Sequence, residues 1–183
     1  MSKITGLKYK ISKERLYNFI RNCINKRESL FYVDLNWIDT SEIYTMENLF
    51  YESKFDGDIS EWDVSNVENM NSMFFKSKFN SNISNWNVSK VKHMHSMFAY
   101  SEFNGNISNW DVSNVESMHG MFQYTSFNSN ISKWNVSKCQ DFKYMFMYSA
   151  FCQDLSNWKI KKGSNTDMMF WGTKIVNYDN YMP

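Results

Sequence analysis

Apolar positions in this chain recur every 24 residues. Trp62, Trp86, Trp110, Trp134 and Trp158 form one column, and Phe55, Phe79, Phe103, Phe127 and Phe151 form another. Ile59, Ile83, Ile107, Ile131 and Leu155 keep the same phase, as do Val64, Val88, Val112, Val136 and Ile160. Met73, Met97, Met121, Met145 and Met169 are each followed by Phe. A fixed period of this length predicts stacked units, each burying its apolar side against its neighbours. Stepping back one period lands on Phe31, Leu35, Ile38, Ile43, Met46, Leu49 and Phe50, all apolar, with Ile38 in the Trp column. The pattern therefore predicts six units, 31–54, 55–78, 79–102, 103–126, 127–150 and 151–174.

Within a unit, the I-x-x-W-x-V run from Ile59 to Val64 alternates as a short strand does. Ser65 to Glu68 then reads as a capping box, and Val67, Met70, Met73 and Phe74 follow as one stripe of a short helix. The S-x-F-N-x-N-I stretch that closes the unit reads as a turn, its Asn columns facing inward to satisfy backbone groups. Ahead of the units, Ser12 is placed to cap a helix over 13–25, with Leu16, Phe19, Ile20, Cys23 and Ile24 on one face. The predicted fold class is α/β: a short solenoid of six 24-residue coils, each a short parallel strand plus a short helix, with an N-terminal capping helix. The predicted divisions are a helical cap at 1–30, the solenoid at 31–174, and a C-terminal tail or cap at 175–183.

The phrase W-D-V-S-N-V-x-x-M-x-x-M-F occurs at Trp62 to Phe74 and again at Trp110 to Phe122. It resembles the repeats of BspA-like bacterial surface proteins, which are also abundant in Mycoplasma lipoproteins. The resemblance covers roughly residues 31–174. It implies a leucine-rich-repeat-like solenoid, adhesion or protein binding, and no catalytic residues. I-x-x-W-x-V matches the leucine-rich pattern L-x-x-L-x-L in part.

Composition narrows the functional classes. The 183 residues are 43% hydrophobic and 18% aromatic, enough for a core and too aromatic for disorder. A net charge of +1 argues against a nucleic-acid partner, which a basic face would mark. No run is long and apolar enough for a membrane span, and Met1 to Lys13 has no apolar secretory segment, which favours an intracellular chain unless a signal was removed. Cys23, Cys139 and Cys152 fit neither a paired set nor a zinc spacing. G-x-S-x-G, P-loop and H-E-x-x-H signatures are all missing, so the expectation is a non-enzyme without cofactors. His95 and His119 share a column one period apart and, lacking an assured third ligand, make at most a weak metal site.

Residues flanking each Trp vary where the framework does not. They are Glu61 and Asp63, Asn85 and Asn87, Asn109 and Asp111, Lys133 and Asn135, and Asn157 and Lys159. Their charge runs from acidic to basic along the chain. This face, with the column Tyr100, Tyr124 and Tyr148, is the expected binding surface for a protein partner. The alternative is a structural or self-assembling chain that stacks end to end or dimerises through its C-terminal end.

Overall fold

Helix α1 spans Lys13–Asn25. Its start is set by Ser12, whose carbonyl accepts the Leu16 N–H at 2.9 Å and whose hydroxyl faces the Arg15 N–H at 3.4 Å. Leu16 and Ile20 lie one helical turn apart and are fully buried, in the same core as Leu35, Ile38, Ile43 and Met46. Phe19 meets Trp37 edge to face at 5.9 Å, and the Tyr17 hydroxyl donates to the Glu47 carbonyl at 2.6 Å. In front of α1, strand β1 (Tyr9–Lys10) pairs in parallel with strand β2 (Ile38–Asp39), Tyr9 opposite Ile38. The computed structural model describes residues 8–25 and 33–175. Phe31, Val176, Tyr178 and Tyr181, and the side chains of Cys23 and Ile24, lie outside the described residues.

From residue 40 to 175 the backbone forms hydrogen-bonded turns joined by isolated parallel bridges. The bridges link Thr45 to Asn69, Asn69 to His93, His93 to Ser117, Ser117 to Asp141 and Asp141 to Asn165. The predicted α/β leucine-rich-repeat-like solenoid of six strand-plus-helix coils is corrected by this architecture. Among the described residues there is one helix, α1, and one sheet of two two-residue strands.

The stripe Met70–Phe74 fails to form a helix because its amides bond alternately in two directions. The Met73, Phe75 and Ser77 N–H groups donate to the carbonyls three residues back, at 3.1–3.2 Å. Those of Met70, Ser72, Phe74 and Lys76 donate instead to His93, His95, Met97 and Ala99, at 2.8–2.9 Å. A helix would need every amide to reach four residues back. Here half of them reach a carbonyl 23 residues ahead, so each buried amide still has a partner. The same alternation runs through 46–53, 94–101 and 142–149.

Alternation demands backbone that most residues resist. Ser72 has φ 52° and Lys76 φ 51°, and the equivalent Asn48, Glu52, Ser96, Tyr100, Tyr124, Tyr144, Tyr148 and Met168 are also positive. Type II turns need such a φ at their third residue, at a cost of about 1–2 kcal/mol without glycine. Four outgoing bonds per run, at about 1 kcal/mol net each, together with side-chain burial, offset it.

The core is a set of aromatic columns. Phe74, Phe98, Phe122 and Phe146 stack at 5.5–5.8 Å, and Phe79, Phe103 and Phe127 at 6.2 Å. Phe98 also lies on Phe103 at 4.0 Å. Each Trp adds a polar tie. The indole N–H of Trp86 donates to the Ile59 carbonyl at 3.1 Å, while the Trp62 amide donates to the same oxygen, filling both lone pairs. Trp62, Trp110, Trp134 and Trp158 bond likewise to Leu35, Ile83, Ile107 and Ile131. Trp62 and Val64 are buried on either side of exposed Asp63, the alternation a strand would show, but the Trp62 amide closes a turn onto the Ile59 carbonyl at 3.1 Å and no strand forms there.

Ser72 discriminates turn from helix. Ser72→Gly should leave stability unchanged or raise it by up to about 1 kcal/mol, since glycine favours positive φ. Ser72→Val should cost about 1–2 kcal/mol, because a β-branched residue is a strong outlier there. Urea denaturation reads both; a clear loss with Gly would restore the helix.

Candidate functional site

The polar surface is built from short side-chain loops onto the backbone. Asp63 Oδ1 accepts the Ser65 N–H at 2.9 Å, and Asn87, Asp111 and Asn135 accept from Ser89, Ser113 and Ser137 at 3.0–3.2 Å. This Asx turn replaces the predicted capping box: Ser65 is the recipient of a cap, not its donor. The Ser65 hydroxyl and then its N–H hold the Asp63 carboxyl below the usual range, and Ser113 does the same for Asp111. At the next corner Asn82, Asn106 and Asn130 repeat the Asx geometry with Ser84, Ser108 and Ser132. Asn80 accepts the Asn104 amide at 2.8 Å and Asn104 accepts that of Asn128 at 2.9 Å. These Asn residues satisfy backbone groups as read, but Asn80 and Asn104 are exposed rather than inward.

All ten residues flanking the Trp column are exposed. Half of them, Asp63, Asn87, Asp111, Asn135 and Lys159, follow a Trp, and the first four of these are committed to Asx turns. Glu61, Asn85, Asn109, Lys133 and Asn157, which precede it, make no such turn among the described residues. At the basic end the face deepens into a cleft of about 490 Å³ lined by Ser132, Lys133, Trp134, Asn135, Val136, Asn157 and Lys159. Four predicted site residues, Lys133, Asn135, Asn157 and Lys159, are thus brought together. Glu61 and Asp63 lie at the opposite, acidic end of the column, and Asn85, Asn87, Asn109 and Asp111 between them.

Tyr100, Tyr124 and Tyr148 form a second, separate feature. Their rings stack at 4.7 and 4.9 Å. Phe75 meets Tyr100 edge-on at 5.6 Å, and a Cβ on Gly172 would lie 2.4 Å from the Tyr148 ring. Both faces of Tyr124 are therefore taken by its neighbours, and only edges and hydroxyls reach out. Desolvation, then Tyr100 and Tyr148, pushes the Tyr124 hydroxyl above its ordinary value. Sequence reasoning missed the continuation of this column to Trp171, which is 59% exposed and donates to the Tyr148 hydroxyl at 3.2 Å.

His95 and His119 stack at 4.5 Å, and His119 Nδ1 lies 3.3 Å from Asp141. Burial, then the neighbouring His119, lowers the His95 pKa. Among the described residues no group of three metal-ligating side chains converges. Cys139 is buried, its thiol pushed up to about 12 by that burial, and Cys152 is an exposed free thiol. Among the described residues no helix is long and apolar enough to cross a membrane.

The Asx carboxylates set an acid limb. Their folded pKa values are depressed, so their contribution is full above the unfolded value near 3.9 and is lost as pH falls through the folded one. Asp63→Asn with Asp111→Asn keeps the turn, as Asn87 and Asn135 do, and should stay within about 0.5 kcal/mol of the parent at neutral pH. Melting temperature against pH should then fall less steeply below about pH 4 than in the parent. Parallel curves would deny the carboxylates this role.

Comparison with known proteins gives one family. Residues 18–125 and 99–181 match the family described as Mycoplasma protein of unknown function, DUF285. No curated protein and no solved structure matches the chain. The resemblance to BspA-like surface proteins, and the leucine-rich-repeat architecture that came with it, are corrected by this match and by the single helix and two short strands. Since the two matched segments together span most of the 183 residues, the chain belongs to the DUF285 family.

Proposed function

We propose that this chain is a non-enzymatic binding module that engages a protein partner through the exposed face beside its tryptophans. The observation that carries the reading is the cleft where Lys133, Asn135, Asn157 and Lys159 converge. Its floor is a rigid Trp column fixed by indole-to-carbonyl bonds, so surface residues are held in place at little further entropic cost. The face is dipolar, with Glu61 and Asp63 toward one end and the two lysines toward the other, which orients an approaching partner. A modest net charge of +1 keeps the module from a general polyanion-binding role.

A chain carrying Lys133→Glu and Lys159→Glu should fold normally, since both side chains are exposed. Affinity capture from the native host, run with parent and variant side by side, should recover a defined protein with the parent and lose it with the variant. Undiminished recovery would remove the face from this role.

A second reading, self-association through the C-terminal end, is favoured by exposed Met168 and Trp171 beside a cavity of about 430 Å³. It predicts a light-scattering mass that rises from 21.9 kDa toward twice that value with concentration. A constant mass eliminates it.

A further inference from the structure

We infer that the Lys133–Lys159 cleft accepts an acidic, extended stretch of a partner polypeptide, an inference that rests on the protein-binding reading and names the chemistry of its partner. Several other lysines of the described surface are matched by carboxylates, while Lys54, Lys161, Lys162 and Lys174 are not. Lys92 pairs with Glu68 at 2.8 Å, Lys76 with Glu52 at 3.2 Å, Lys10 with Glu42 at 2.7 Å, and Lys78 with Glu102. Lys90 and Lys138 are instead bound by the side-chain oxygens of Asn66 and Asn114. Lys133 and Lys159 also have no such partner among the described residues, and the two line one cleft together. Two ammonium groups at one cleft, with no internal counter-charge, form a recognition site for carboxylates.

The remaining lining specifies more than charge. Asn135 Oδ1 is occupied by the Ser137 amide, which leaves its Nδ2 group as a donor, while Asn157 and the Ser132 hydroxyl can accept or donate. Such groups suit the alternating carbonyls and amides of an extended main chain. Trp134, only 3% exposed, closes the floor.

Nucleic acid fits less well. Binding to phosphates draws on several cations at once, and single strands need aromatic faces for their bases. The Trp134 ring is buried, and the faces of Tyr124 are covered by Tyr100 and Tyr148. The acidic end of the same face, at Glu61 and Asp63, repels an acidic segment and confines it to the cleft.

Three probes test this by calorimetry on the full chain: a short synthetic peptide alternating Glu with Ser, its Gln-for-Glu counterpart, and a thymidine oligonucleotide. The Glu peptide should bind, weaken at least about tenfold in the Lys133→Glu, Lys159→Glu chain, and weaken as salt rises from about 50 to about 300 mM. A Lys161→Glu, Lys162→Glu chain, which changes exposed lysines outside the cleft, should stay within about threefold of the parent. Equal binding of the Gln peptide, tighter binding of the oligonucleotide, an equal loss in the Lys161, Lys162 chain, or no binding of the Glu peptide would each overturn the inference. If the Glu peptide fails while capture of the host partner still depends on Lys133 and Lys159, only the acidic chemistry falls. If capture ignores those lysines, the broader reading falls with it.

Discussion

Everything in residues 46–173 depends on a division of labour among backbone amides. In the runs 46–53, 70–77, 94–101, 118–124 and 142–149 one amide closes a turn and the next reaches a carbonyl 23 residues ahead. This division keeps buried peptide groups satisfied without a helix or a regular strand. It also fixes which side chains meet. Because Phe74 donates to Met97 and Lys76 to Ala99, Phe74 must lie on Phe98, and the aromatic columns follow from the hydrogen bonds. The positive φ of Ser72 and Lys76 is the strain that this arrangement carries.

Polar side chains complete the scheme. The Trp indoles fill the second lone pair of the Ile carbonyls, while Asx turns hold the corners and an Asn ladder joins Asn80, Asn104 and Asn128. Residues that look decorative, such as Asp63 and Asp111, are thereby bound into the framework. That leaves a smaller set, including Lys133, Asn157 and Lys159, free to vary without disturbing the turns.

The apolar columns were legible because burial writes a period into sequence. The 24-residue spacing identified which Phe and Trp side chains stack, and the Leu16–Ile20 stripe behind Ser12 marked α1. The local backbone was not legible. Apolar positions at Val67, Met70 and Met73 are spaced by three, which a helix face and a series of three-residue turn bonds share. The signal that would separate them is glycine or asparagine at the positive-φ positions; Asn48, Gly120 and Gly172 carry it, but Ser72, Lys76, Tyr100 and Tyr124 hide it at most of the equivalent positions. The strand assignment failed for a related reason. Trp62 and Val64 flank one exposed residue, but Trp62 closes a turn onto Ile59 instead of pairing along a neighbour. For the candidate site, the sequence marked Lys133 and Lys159 as variable and basic, while their convergence on one cleft depends on chain geometry that no local pattern encodes.

The alternating amides also give the molecule a direction. In every run from 46 to 148 the outgoing groups are N–H donors, and the carbonyls that receive them belong to the residues ahead. Met168 and Gly172 stand at the same positions of their run, with no further run ahead of them among the described residues. Each run from 46 to 148 therefore joins the next with one polarity only, and no run could be turned end for end without setting donor against donor: the stack is keyed, like a zip that closes one way.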